Sequence, residues 1–181
     1  MEIDCLQLLL KEESNLEKID VCIKKMENRQ ELEGLINNEQ LILCDNMQNT
    51  FIIINLDGKS SVGIGYYDYG IAPDFKYFDD CGLLYLGVGK NLLCIDAYEN
   101  KVLFNESLQS VFYELLYDLN NNYICVICEL DLYCYQLKEQ KWKMGFRSII
   151  NDYSITNDNI YILCDDGIEY LFSLDDGKLV V

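Results

Sequence analysis

No histidine occurs among the 181 residues, proline and tryptophan occur once each, and basic side chains number 14 against 31 acidic ones. Each scarcity excludes something. Without histidine the commonest general base and nitrogen metal ligand is missing, so acid–base chemistry would fall to carboxylates. Phosphate binding gains its energy by neutralising anions with Lys and Arg, and a net charge of −17 opposes it, so neither nucleic acid nor anionic lipid is an expected partner. Long apolar runs are lacking too. Phe51 to Ile54 and Tyr123 to Cys128 are strand-length, far short of the roughly 20 residues that cross a bilayer. The chain begins Met1, Glu2, Ile3, Asp4, acidic where a secretory signal is basic, and no small-residue cleavage site follows Leu8, Leu9 and Leu10. The expected location is cytoplasmic.

What the chain does have is a repeat. Four times a short apolar run ending in Cys-acid or Gly is followed by a second apolar run and a turn closing on Lys. The closing residues are Lys59, Lys101, Lys141 and Lys178, spaced 42, 40 and 37 apart. A period of about 40 residues built from short strands is the signature of stacked four-stranded sheets, each burying its faces against its neighbours. The third repeat reads SVFYELLYD, turn, YICVICE, turn, LYCYQL, turn, KWKMGF, and the fourth reads SIINDYSIT, IYILCDD, IEYLFSL, KLVV. Asn, Asp and Gly at the fourth repeat's turns suit tight hairpins. The second repeat reads FKYFDD, LLYLGVG, LLCIDAYEN, KVLFNE. In the first, LEGLI, LILCD, FIIINL and KSSVGI, the opening segment reads equally as a strand or as the tail of a preceding helix.

The N-terminal thirty residues differ in kind. Leu16, Ile19, Cys22, Ile23 and Met26 recur at three- and four-residue intervals, and Ser14 with Glu17 forms a capping box, so an amphipathic helix is predicted from about residue 14. It would either cap an end of the β assembly or dock a partner. The segments IDAYENKVLF (Ile95 to Phe104) and LDDGKLV (Leu174 to Val180) resemble the strand, Asp-containing turn, Lys, strand unit of β-propeller repeats, particularly those of the pyrroloquinoline-quinone enzyme family. The resemblance covers residues 31 to 181 and implies blades arranged around an axis. It implies no cofactor, because the family's Trp-docking positions are held by Phe104 and by Val180 or its neighbour. The expected fold is mainly β: about four repeated four-stranded antiparallel blades, a small or partial β-propeller, with an N-terminal helical segment. Residues 1–30 form the helical cap and 31–181 the repeat domain. A closed ring, an open arc and a ring completed by two chains all remain compatible with four blades.

Chemistry finds little purchase. Asp79-Asp80, Asp165-Asp166 and Asp175-Asp176 are adjacent carboxylates, but neighbours on a strand point apart, whereas glycosidase pairs face one sugar. Gly87-Val88-Gly89-Lys90 lies between strands rather than ahead of a helix and so reads as a hairpin, not a phosphate loop. Cys125 and Cys128 form a C-x-x-C within a strand, with no second ligand pair for zinc. Cys44, Cys128 and Cys164 recur at matching positions, as do Cys94 and Cys134 one strand later, which suggests repeated core packing. No catalytic residue, metal or cofactor is expected.

The remaining excesses are charge and tyrosine. From Glu31 to Gln136 there are 16 acidic and four basic side chains. This charge either keeps a β-rich surface soluble or attracts a basic protein. The segment GIGYYDYGIAPDF (63 to 75) exceeds its counterparts in length and holds Pro73. Its tyrosines either grip a partner or pack over the neighbouring sheet. Tyr66, Tyr67, Asp68, Tyr69, Asp74, Asp79 and Asp80 are the candidate partner-binding residues. Tyr85, Tyr123 and Tyr161 recur in the repeats and are expected in the core. The function these readings favour is a non-enzymatic acidic binding module for a basic partner, in its most concrete form an intracellular immunity or antitoxin-type inhibitor of a cationic toxin. The alternatives are a scaffold or self-pairing half-propeller within a larger complex, and an acidic mimic of nucleic acid.

Overall fold

The computed structural model describes residues 21–36, 40–56, 60–118, 122–156 and 158–180. Fifteen strands and one helix are found there, arranged as four sheets. The chain divides into two compact units. The first comprises Met1–Gly70, Tyr77–Tyr85 and Leu93–Asn105, the second Ile71–Lys76, Leu86–Leu92 and Glu106–Val181.

The first unit holds β1 (Val21–Met26), α1 (Arg29–Leu35), β2 (Gln40–Leu43), β3 (Thr50–Leu56) and β4 (Ser60–Tyr66), with strand order β1-β3-β4-β2. Cys22, Ile23 and Met26, read from the sequence as the end of a helix, belong instead to a strand. β1 pairs antiparallel with β3 from Val21↔Leu56 to Met26↔Phe51. Their three- and four-residue spacing suits a helix, but the ladder with the aliphatic β3 outweighs that local preference. The portion of that predicted helix before residue 21 lies outside the described residues. The helix actually present, α1, takes in Leu32 to Leu35 of LEGLI, the segment that reads equally as strand or helix tail, and Ile36 is its C-cap. Asn28 caps it: its side-chain carbonyl accepts from the Glu31 N–H at 3.0 Å, and the Glu31 carboxylate accepts from the Glu27 N–H at 2.7 Å. Leu32 is fully buried on the sheet with Met26 and Ile53, and Ile36 packs beside them. Gly63 makes this possible, since a Cβ there would lie 1.9 Å from the Ile36 Cδ1. Finally, β2 pairs with β4 in parallel, Gln40↔Val62 to Leu43↔Gly65, so this sheet is not a simple antiparallel meander.

The second sheet, β5 (Asp74–Phe78), β6 (Leu83–Val88), β7 (Asn91–Asp96) and β8 (Lys101–Ser107), follows chain order, and its strands are divided between the two units. β6 is buried at every position. In the first unit Tyr85 is enclosed between Phe78 and Phe104, at ring distances of 6.3 and 5.9 Å. Gly89, with φ of 57°, turns β6 into β7, so the Gly87–Lys90 segment is a hairpin.

The second unit contains two further sheets. The third, β9 (Phe112–Asp118), β10 (Tyr123–Cys128), β11 (Asp131–Gln136) and β12 (Glu139–Gly145), also runs in chain order. The fourth has three strands, β13 (Ile150–Thr156), β14 (Asn159–Cys164) and β15 (Glu169–Ser173). Its expected last strand, KLVV, contributes a single antiparallel bridge, Phe172↔Leu179. These two sheets stack. Tyr123, Cys125, Ile127, Leu132 and Cys134 meet Ile150, Ile160, Ile162, Cys164, Phe172 and Leu174 in one core cluster. Each fully buried aliphatic chain in it contributes about 1.5–3 kcal/mol relative to exposure. β10 is buried at every position, on both faces. That is why YICVIC is an unbroken apolar run rather than an alternating one. Trp142 ties the two repeats together: its indole N–H donates to the Leu174 carbonyl at 2.8 Å, and its ring lies against Gly177, where a Cβ would come within 2.6 Å. Among the described residues no helix is long and apolar enough to cross a membrane.

Candidate interaction surface

The segment singled out for its tyrosines begins as strand. Residues 63–66 finish β4, and the connection proper runs from 67 to 73. Tyr66 is 2% exposed and is therefore a core residue of the first unit rather than a contact residue. Burial, followed by the nearby Asp68 carboxylate, pushes its phenol up to about 12. Beyond it the side chains turn outward. Tyr67 and Tyr69 meet edge to face at 4.9 Å, and Tyr69 is exposed. Between them Asp68 shapes the turn, its carboxylate accepting the Gly70 N–H at 2.6 Å where Gly70 takes a φ of 87°. Asn49 holds the turn in place: its side-chain carbonyl accepts the Asp68 N–H at 2.7 Å while its own N–H donates to the Tyr66 carbonyl. Tyr67, Asp68 and Tyr69 thus form one braced, outward-facing group. Asn49, 19 residues away in sequence, has no local signal that could have identified it as their brace.

The other candidates fall elsewhere. Asp74 opens β5 in the second unit, where its carboxylate accepts the Leu115 N–H of β9 at 2.9 Å, which is a structural use. Asp79 and Asp80 lie in the β5–β6 turn of the first unit, Asp80 exposed. The Asp79 carbonyl accepts the Tyr98 hydroxyl at 2.9 Å, and the Tyr98 ring covers Gly82.

Three of the four carboxylates in the other two adjacent pairs have structural partners as well. The Asp166 carboxylate accepts the Ile168 N–H, Asp176 accepts from the Lys178 backbone and ammonium, and Asp175 accepts from the Tyr123 hydroxyl at 3.2 Å. The ammonium and N–H of Lys178 hold the Asp176 carboxyl below its ordinary value. Within the second unit Asp131 is buried, with the Ser110 hydroxyl donating to it at 2.6 Å and the Ser110 oxygen accepting the Leu130 N–H. Tyr135 donates to Glu106.

Eight cysteines lie among the described residues, six of them buried. Burial, then Asp45, pushes Cys44 up to about 12. Cys125, opposite Cys134 across β10 and β11, is raised by the hydrogen bond between the two thiols and by burial. Such thiols stay protonated and pack as hydrophobes. Cys44, Cys94, Cys128, Cys134 and Cys164, which recur in the repeats, are all buried. Among the described residues no group of three or more Cys, Asp or Glu side chains is placed to hold a metal ion.

Solved structures to which the chain is similar include the computationally designed Ika8 protein, at 11% identity and a TM-score of 0.51 over 89% of this chain and 57% of that one. The designed Ika4 protein matches at 12% identity and 0.50 over 62% of this chain and 72% of that one, and Saccharomyces cerevisiae Sqt1 at 10% and 0.50 over 76% and 45%. The chain thus spans only about half the length of Ika8 and of Sqt1. No family model matches the sequence, and no curated protein matches it. At these identities the likeness concerns architecture alone, and together with the four sheets it shows that the chain has a β-propeller-type repeat fold.

Proposed function

We propose that the chain is a non-enzymatic protein-binding module whose acidic surface and Tyr67–Asp68–Tyr69 turn engage a basic protein. The observation that carries this reading is the turn itself: two aromatic rings set around a carboxylate and braced by Asn49, on a chain of net charge −17. Rigid aromatic rings with polar tips give contact area at low entropic cost, and surrounding acids steer a cationic partner toward them. Its concrete form is an inhibitor that occludes a cationic toxin inside the cell, a reading supported by size and charge.

The test is affinity capture from the source cells with the wild type and the double variant Tyr67→Ala/Tyr69→Ala, followed by association kinetics of each captured protein at rising salt. The expected partner is rich in Lys and Arg, is lost by the double variant, and associates far more slowly at high salt. A partner captured equally by the variant, or one whose association rate ignores salt, overturns the reading.

A second reading, a scaffold or oligomerising subunit, is favoured by the chain's match to only 57% of Ika8 and 45% of Sqt1. Sedimentation velocity separates the two: an obligate assembly keeps its size on dilution, and a free binding module sediments as a monomer.

A further inference from the structure

The stretch from Lys138 to Arg147 inverts the charge of the molecule. It holds four of the 14 basic residues and one acidic residue, Glu139. Most of it is β12, the outermost strand of the third sheet. Lys141, Lys143 and Arg147 are exposed, and among the described residues none of the three is ion-paired. The alternate residues Trp142, Met144 and Phe146 turn the other way and pack on the core shared with the fourth sheet. On that side an open groove is lined by Met144, Phe146, Arg147, Tyr170, Phe172 and Leu179. Phe146 lies 5.3 Å from Tyr170 and 6.0 Å from Phe172, Tyr170 and Phe172 stack at 5.7 Å, and Leu179 at the rim is 55% exposed. An outer strand therefore carries Lys141 and Lys143 on one face and borders on the other an aromatic groove to which Arg147, just past the strand, contributes a cation.

From this geometry we infer that β12 accepts, as an added strand, an extended segment of another protein that alternates carboxylate and apolar side chains. A strand added to a sheet edge aligns its pleat with the edge strand, so its side chains lie beside residues of the same face. One set then lies along Lys143 and its neighbours, and the other set enters the groove over Met144 and Phe146. Lysines on an edge disfavour pairing with apolar or basic strands. The same lysines attract one that brings carboxylates, and an acidic segment supplies counter-charges to Lys141, Lys143 and Arg147. This surface is distinct from the Tyr67–Tyr69 turn and of opposite polarity, and it does not depend on the function proposed above.

The experiment uses the full chain and a fluorescein-labelled peptide of alternating glutamate and valine, with the lysine–valine counterpart as control. Anisotropy titration is expected to show saturable binding of the glutamate peptide only. The triple variant Lys141→Glu/Lys143→Glu/Arg147→Glu and the single variant Leu179→Asp should each weaken it by at least about tenfold, a readable free-energy difference. All four positions are exposed, so melting temperatures should stay unchanged, and bound peptide should slow hydrogen exchange in β12. The proposal is overturned if the wild type binds neither peptide, if it binds both equally, or if the triple variant retains full affinity. Self-association that Leu179→Asp abolishes, without glutamate-peptide binding, assigns the groove to a second copy and likewise overturns it.

Discussion

The third sheet and the first are built from similar apolar segments, yet they solve the pairing problem differently. In the third, β9 to β12 follow one another as a meander, and the middle strand is buried on both faces. In the first, β1 arrives from before the helix, β2 joins in parallel at the far edge, and α1 covers Ile53 and Gly63. The difference teaches that a run such as LILCD or FIIINL declares a strand but not its neighbour. Short Asn- and Gly-bearing turns leave consecutive strands little choice but to pair. Where a longer connection intervenes, as between β2 and β3, the chain is free to place its strands out of order.

If α1 is as integral to the first sheet as β10 is to the third, Leu32→Ala and Ile127→Ala should cost alike, each about 2–5 kcal/mol in urea unfolding. A negligible loss for Leu32→Ala would reduce the helix to an ornament and break the comparison. The glycines sharpen it further. In the second unit a Cβ on Gly87 meets the buried Phe112 ring at 2.2 Å, whereas in the first unit one on Gly63 overlaps the end of the Ile36 side chain and comes no nearer than 3.1 Å to the buried Leu32 Cδ1. Gly87→Ala should therefore cost about 1–3 kcal/mol, and Gly63→Ala distinctly less because Ile36 can swing aside. Equal losses would show Ile36 to be as confined as Phe112. Smaller still, Asn28→Ala should cost about 1 kcal/mol by freeing the Glu31 N–H, with Asn28→Ser restoring most of it.

A pH dependence, visible only in alkaline solution, adds a further test. Cys44, at the end of β2, has a folded value raised from 9.0 to about 12 by burial and by Asp45. A raised folded value means the neutral thiol's stabilising contribution is whole below 9.0 and declines as pH climbs toward 12. Relative to wild type, Cys44→Ala should lose its pH slope in that window. Parallel slopes for the two proteins would place the titration elsewhere.

Much of this fold could be read from the chain. The second, third and fourth repeats fall close to their expected strands because each carries its own turn residues and strand-length apolar runs. The cysteine positions were also legible, since ILCD, VICE and ILCD repeat the same buried place. The first repeat was harder. A strand at Val21–Met26 has apolar residues at Cys22, Ile23 and Met26 that fit helical spacing equally well, and only the distant β3 decides between them. The start of α1 did have a local signal, Asn28 followed three residues later by Glu31. At the candidate surface, Tyr67, Asp68 and Tyr69 were legible as an unusual Tyr-rich connection. Tyr66 differs only in being the last inward residue of β4, and Asp74 is committed to the Leu115 N–H, facts that depend on long-range contacts.

The central physical claim is that stability resides in middle strands buried on both faces while the outer strands remain available. Native-state hydrogen exchange followed residue by residue tests it most directly. The account predicts that amides of Ile124 to Ile127 exchange only through global unfolding, while those of Lys143 to Gly145 on β12 open locally and far faster. Protection of β12 equal to that of β10 would contradict it.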